Sequence, residues 1–99
     1  MTDNSIGFTA DCVSEAIERH RLAIDEIDDS LVELLNERAM HSSAIRDLKI
    51  KEGIGVYDAR REEEIVRRLH ATNKGPLYNG SLEEIFATIL KVMKEMPRS

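Results

Sequence analysis

Apolar residues recur three and four positions apart along the first half of this chain. From Ile17 the spacing runs through His20, Ile24, Ile27, Leu31, Leu34, Arg38, His41, Ile45 and Leu48, which is the period of one face of an α-helix. No glycine or proline lies between Cys12 and Glu52. The pattern therefore predicts a single helix of about 40 residues, about 60 Å long. Ahead of it, residues 1–11 read as a loose arm, with Asp11 or Ser14 available to cap the helix. Gly53 and Gly55 end the rod, Gly53 as a left-handed cap residue.

Two shorter helices follow. Asp58 is placed to cap the second, whose apolar face is Ile65, Val66 and Leu69. Thr72-Asn73-Lys74-Gly75-Pro76 stops it, since proline cannot continue a helix. Ser81 and Glu84 have the spacing of a capping box, which predicts the start of the third helix there. Its face is Ile85, Phe86, Ile89, Leu90 and Met93, and Pro97 closes it. No strand is needed: the predicted fold is all-α, a three-helix chain with one long N-terminal helix, and residues 12–99 form one domain behind the arm.

Composition changes this picture in one respect. The chain has 99 residues, 41% of them hydrophobic and only 4% aromatic, with no Trp, so a monomer would have a thin core. A rod of the predicted length cannot be covered by the remaining half of the chain, which predicts a partner for it. The formal net charge of −5 argues against nucleic acid, whose binders carry a basic stripe. Cys12 is the one cysteine and cannot form an internal disulfide, which suits a reducing compartment. No stretch approaches the roughly 20 apolar residues of a membrane span, and the acidic start does not read as a secretion signal. These features predict a soluble, cytoplasmic protein that does not bind membranes. His20, His41 and His70 do not have a metal-binding spacing, so no metal is expected.

The candidate chemistry lies in the cations. Arg38 occupies a seam position that should be apolar, and desolvating a guanidinium costs on the order of several kcal/mol unless an anion meets it. Lys49 follows eleven residues later, within about 20° of the same face and about 16 Å along the axis. Two long side chains can narrow that gap around one small dianion. Asp58-Ala59-Arg60-Arg61-Glu62 adds charge at the start of the second helix. Arg21 lies seventeen residues before Arg38, about 25 Å away and rotated by about 100°. It cannot reach that place within one chain, but in an antiparallel pair of rods it falls beside Arg38 of the other protomer.

Taken together, Arg21, Ile24-Asp25, Ile27-Asp28, Leu34-Leu35-Asn36-Glu37-Arg38, Lys49, Val56-Tyr57-Asp58, Arg61-Glu62, Asn73-Lys74-Gly75-Pro76-Leu77 and Ile85-Phe86 resemble the all-helical chorismate mutases. The likeness covers roughly residues 14–96. It implies an intertwined helical homodimer with two shared sites, and the Claisen rearrangement of chorismate to prephenate in aromatic amino-acid biosynthesis. It implies no cofactor, metal or covalent nucleophile. Carried over position by position, Arg38 and Arg21 of the partner chain would clamp the two substrate carboxylates. Lys49 would donate to the ether oxygen and a nearby carboxylate. Glu62, with the backbone near Asp58, would hold the ring hydroxyl, and Arg61 would orient that group or add to the positive field.

One position departs from the family pattern. Eleven residues after Phe86, where the family usually has a Gln or Glu that bonds the ether oxygen, this chain has Pro97, and Met93 replaces a small polar residue. Proline offers neither a side-chain donor nor an amide hydrogen. Glu95 could take over that role after a shift in register. Two other readings follow from the same residues: an isochorismate pyruvate lyase on the same fold, or a non-catalytic dimerisation or regulatory module of an aromatic-pathway enzyme.

Overall fold

The structure is a computed structural model that describes the backbone of residues 2–97 and the side chains of residues 12–97. Helix α1 spans Thr2–Lys51, α2 Ala59–Thr72 and α3 Asn79–Lys94. Among the described residues there is no strand, and the fold is all-α. Helix α1 ends at Lys51 as the glycines predict, but its backbone is already helical at Thr2, ahead of the expected start at Cys12. Residues 2–11 thus continue the helix. Gly7 is the weakest helix former in that stretch, and glycine costs only about 1 kcal/mol relative to alanine. Met1 lies outside the described residues.

The end of α1 is closed by a Schellman motif. Gly53 adopts φ 70°, its N–H donates to the Ile50 carbonyl at 3.1 Å, and the Ile54 N–H donates to the Lys49 carbonyl at 2.7 Å. Both bonds satisfy carbonyls that the helix end would otherwise leave open. Helix α2 starts as predicted: the Asp58 carboxylate accepts from the Arg61 N–H at 3.0 Å. After α2, Asn73 organises the turn. Its side-chain oxygen accepts from the Gly75 N–H at 2.9 Å, and its amide nitrogen donates to the Leu77 carbonyl and to Asn79, each at 2.8 Å.

This turn moves the start of α3. The N-cap is Tyr78, which makes no side-chain cap bond, so the Ser81–Glu84 capping box expected from the sequence does not open the helix. The Asn73–Asn79 bond brings the chain into helical register three residues earlier, and Ser81 sits inside the first turn.

The chain divides into two units, Met1–Arg38 and Ala39–Ser99. The first is the leading part of α1, and its seam residues are open: Ile17 is 47% exposed, Ile24 54%, Ile27 59%, Leu31 49% and Leu34 60%. In the second unit α2 and α3 pack on each other. Ile65, Val66 and Leu69 from α2 and Phe86, Ile89 and Leu90 from α3 are half-buried, and Met93 is the one buried side chain among the described residues. Ile85, expected on the α3 face, is exposed. His70 of α2 is hydrogen-bonded to Glu83 of α3. The last turns of α1 are half-buried at Ala39, Ser42, Ser43, Arg46 and Lys49, whereas Ile45 and Leu48 of the apolar seam are exposed. The stripe covered within the second unit is therefore the small and basic one, and the apolar seam is left over.

Candidate active site

Lys49 lies in the last turn of α1, and its backbone carbonyl is tied into the Schellman motif. Its side chain is 25% exposed, and its ammonium lies 3.7 Å from Oδ2 of Asp58. Asp58 thus uses both carboxylate oxygens: Oδ1 caps α2 through the Arg61 N–H and Oδ2 faces Lys49. The length of the Lys49 contact matters chemically. At 3.7 Å it orients the ammonium but is longer than the 2.7–2.9 Å of a tight charge-assisted hydrogen bond, so an incoming acceptor can compete for the proton donor.

Glu62 follows one turn into α2, where the unpaired N–H groups of a helix start favour an acid. Its side chain is 32% exposed and Oε1 accepts from the ammonium of Lys94, at the end of α3. The Lys94 ammonium also sits 5.1 Å from the ring centroid of Tyr57, within cation–π range. The hydrogen bond that Lys94 donates to Glu62 is the main cause that raises Lys94 above the ordinary lysine value of 10.5, while partial desolvation opposes it. The guanidinium of Arg61 is turned along α2 to Glu64, at 3.4 Å, rather than toward Glu62.

Arg38 and Arg21 belong to the first unit. Arg38 is half-buried. Arg21 is exposed and lies 3.9 Å from Glu18 one turn earlier. The second unit therefore assembles Lys49, Asp58, Arg61 and Glu62 around the start of α2, and the two arginines are carried by the other unit.

Two residues of this region went unremarked in the sequence. Leu82, Phe86 and Leu90, spaced by four, are half-buried, and Lys94 is the next member of that row; a charge closing an apolar row is the same kind of signal that marked Arg38. Arg46 left no comparable trace. Its Nη1 donates to the Met96 carbonyl at 2.9 Å and its Nη2 to the Pro97 carbonyl at 3.4 Å. Pro97 thus takes part through its carbonyl oxygen, as an acceptor. Glu95, the alternative donor position, is the C-cap of α3, with its backbone N–H shared between the Lys91 and Val92 carbonyls, and it is exposed.

No helix of the described residues is long and apolar enough to cross a membrane. The family described as chorismate mutase type II matches residues 20–97. The chain is 43% identical over 79 residues to a bifunctional chorismate mutase/prephenate dehydratase of Neisseria gonorrhoeae, covering 79% of this chain and 21% of that protein. The corresponding bifunctional protein of Pseudomonas aeruginosa is 32% identical over 75 residues, covering 71% of this chain and 20% of that one. The chain thus spans about a fifth of the length of the curated relatives it matches. Among solved structures, a chorismate mutase of Thermus thermophilus superposes with a TM-score of 0.79 at 30% identity, covering 81% of this chain and 91% of that one. A second form of the same enzyme gives 0.75 at 31% identity, covering 78% and 96%. With this fold, the Lys49–Asp58–Glu62 arrangement and a family match that extends over most of its length, the chain belongs to the type II chorismate mutase family.

Proposed function

We propose that this chain converts chorismate to prephenate. The observation that carries the reading is the Lys49 ammonium, fixed at a capped helix end and held 3.7 Å from the Asp58 carboxylate, in a chain of this family. The reaction breaks an ether bond as a carbon–carbon bond forms within one molecule, and negative charge grows on the ether oxygen. A preorganised donor aimed at that oxygen stabilises the transition state more than the ground state. Lys49 is that donor. The arginine forks of Arg38 and of Arg21 from a second copy bind the two carboxylates and hold the substrate in its compact reactive conformer. Glu62 accepts from the ring hydroxyl, beside the backbone at Asp58, and Arg61 adds to the positive field.

The active form is a homodimer. Ile17, Ile24, Ile27, Leu31 and Leu34 are 47–60% exposed in the single chain. At about 1.5–3 kcal/mol for each fully buried side chain, covering the half still exposed yields about 4–8 kcal/mol per protomer. That gain is available to a second rod laid along the seam, which also delivers Arg21. Light scattering on the purified chain is expected to give twice the chain mass, and Leu31→Asp is expected to shift it toward the monomer; a wild-type monomer would overturn this assembly. The same reading places the protein in the cytoplasm, in keeping with the single exposed thiol of Cys12.

The direct test is chorismate consumption with chromatographic identification of the product. Prephenate is expected. Lys49→Ala is expected to lower kcat/KM by about 100- to 1000-fold, as for loss of an oxyanion donor. Release of pyruvate, or no turnover by a folded wild-type protein, would refute the reading.

A further inference from the structure

We propose that Lys94 is a positioning residue, which holds the Glu62 carboxylate through Oε1 so that its other oxygen is presented to the hydroxyl of the substrate. The inference rests on the mutase reading for the identity of that substrate, and on the second unit alone for its geometry. Two ammonium groups converge on the first turn of α2. Lys49 comes from the end of α1 and meets Asp58; Lys94 comes from the end of α3 and meets Glu62. They differ in what surrounds them. Lys94 meets both the Glu62 carboxylate and the Tyr57 ring, so it has one partner in the first turn of α2 and one in the loop that leads into it.

The Lys94 ammonium meets the Glu62 carboxylate at Oε1, and that contact gives the carboxylate a direction. A glutamate with three rotatable bonds near a helix start samples several rotamers, and fixing one of them is worth what any immobilised acceptor gains in orientation. The ends of α2 and α3 thereby act together: the cap at Asp58 sets where Glu62 begins, and Lys94 sets where its carboxylate points. Tyr57, the residue before the cap, limits how far the ammonium can swing.

The test compares Lys94→Met, Lys94→Arg and Glu62→Ala, each first checked for an unchanged circular-dichroism spectrum. The first readout needs no substrate: the side-chain carboxylate carbon of Glu62, followed by NMR, is expected to shift in Lys94→Met and to return toward its wild-type position in Lys94→Arg. The second is kcat/KM for chorismate, expected to fall about ten- to a hundredfold in Lys94→Met and to recover in Lys94→Arg. In a Glu62→Ala background, Lys94→Met is expected to cause no further loss, because a residue acting through Glu62 has nothing left to position. An unmoved Glu62 resonance overturns the inference, and so do additive losses in the double variant, which would mean that Lys94 acts on the substrate itself. A wild-type protein that does not turn over chorismate refutes the mutase reading, and the resonance then decides the Lys94–Glu62 arrangement independently.

Discussion

Replacing Asp58 by alanine and, separately, by serine pulls apart the two tasks of its carboxylate. Oδ1 accepts from the Arg61 N–H at 3.0 Å, and Oδ2 lies 3.7 Å from the Lys49 ammonium. Alanine removes both. Serine keeps an oxygen able to cap α2 and removes only the charge. Loss of an N-cap costs about 1 kcal/mol, and a partly exposed ion pair of this length contributes about 0–1 kcal/mol. Asp58→Ala should therefore lose about 1–2 kcal/mol and Asp58→Ser less than about 1 kcal/mol. The assay is urea denaturation followed by circular dichroism, at a fixed protomer concentration because association adds to apparent stability. In a Lys49→Met background the serine variant should cost nothing further, since the charge it removes no longer has a partner. If serine and alanine at position 58 destabilise equally, the cap is not what Asp58 contributes and the account of how α2 starts is wrong.

Three further outcomes follow from the same structure. Gly53 has φ 70° with nothing within 4 Å of an added Cβ, so Gly53→Ala is expected to cost about 1–2 kcal/mol through backbone strain alone, whereas Gly55→Ala, which meets nothing and has no positive φ, should leave the melting temperature nearly unchanged. Arg46→Ala removes both bonds to the Met96 and Pro97 carbonyls and is expected to destabilise by about 1.5–3 kcal/mol in urea titration, the range for hydrogen bonds to a charged group; a loss below the error of the fit would show that the chain end is held by other means. Lys94 titrates above the ordinary 10.5 because it is hydrogen-bonded to Glu62, so its contribution is fully present below the unfolded value and lost as pH rises through the folded one. Melting curves above pH 10.5 should converge for wild type and Lys94→Met; curves that stay parallel would refute the pairing.

How much of this was legible in the residues depends on which physical rule governs each place. The end of α1 and the start of α2 follow local chemistry, a glycine that tolerates positive φ and an aspartate that accepts from the third helical N–H, and both lie where the sequence predicts. The start of α3 does not, because a bond from Asn73 to Asn79 six residues away outcompetes the local Ser81–Glu84 signal. Periodicity identified the apolar seam of α1 but not which stripe the chain itself covers: Ser42, Ser43 and Arg46 are half-buried while Ile45 and Leu48 are exposed. A period reports that a face is to be covered, not by which molecule. Among the charged residues, Lys49 and Asp58 come together in the second unit, while the pairing of Lys94 with Glu62 joins residues 32 positions apart and no spacing rule reaches that far.

The Schellman closure at Gly53 has a bearing on how this segment tolerates change in length. Residues 49–54 are committed to ending one helix and Asp58 to beginning the next, which leaves Gly55, Val56 and Tyr57 as the whole of the adjustable span. A single inserted or deleted residue there would either displace Asp58 from Lys49 or tear open one of the two helix ends. Exposed surface loops ordinarily absorb insertions at little thermodynamic cost. This one is exposed at every position from Gly53 to Asp58 and yet acts as a fixed-length spacer, so in any redesign of the protein the side chains at Gly55 and Val56 can be varied more freely than the number of residues.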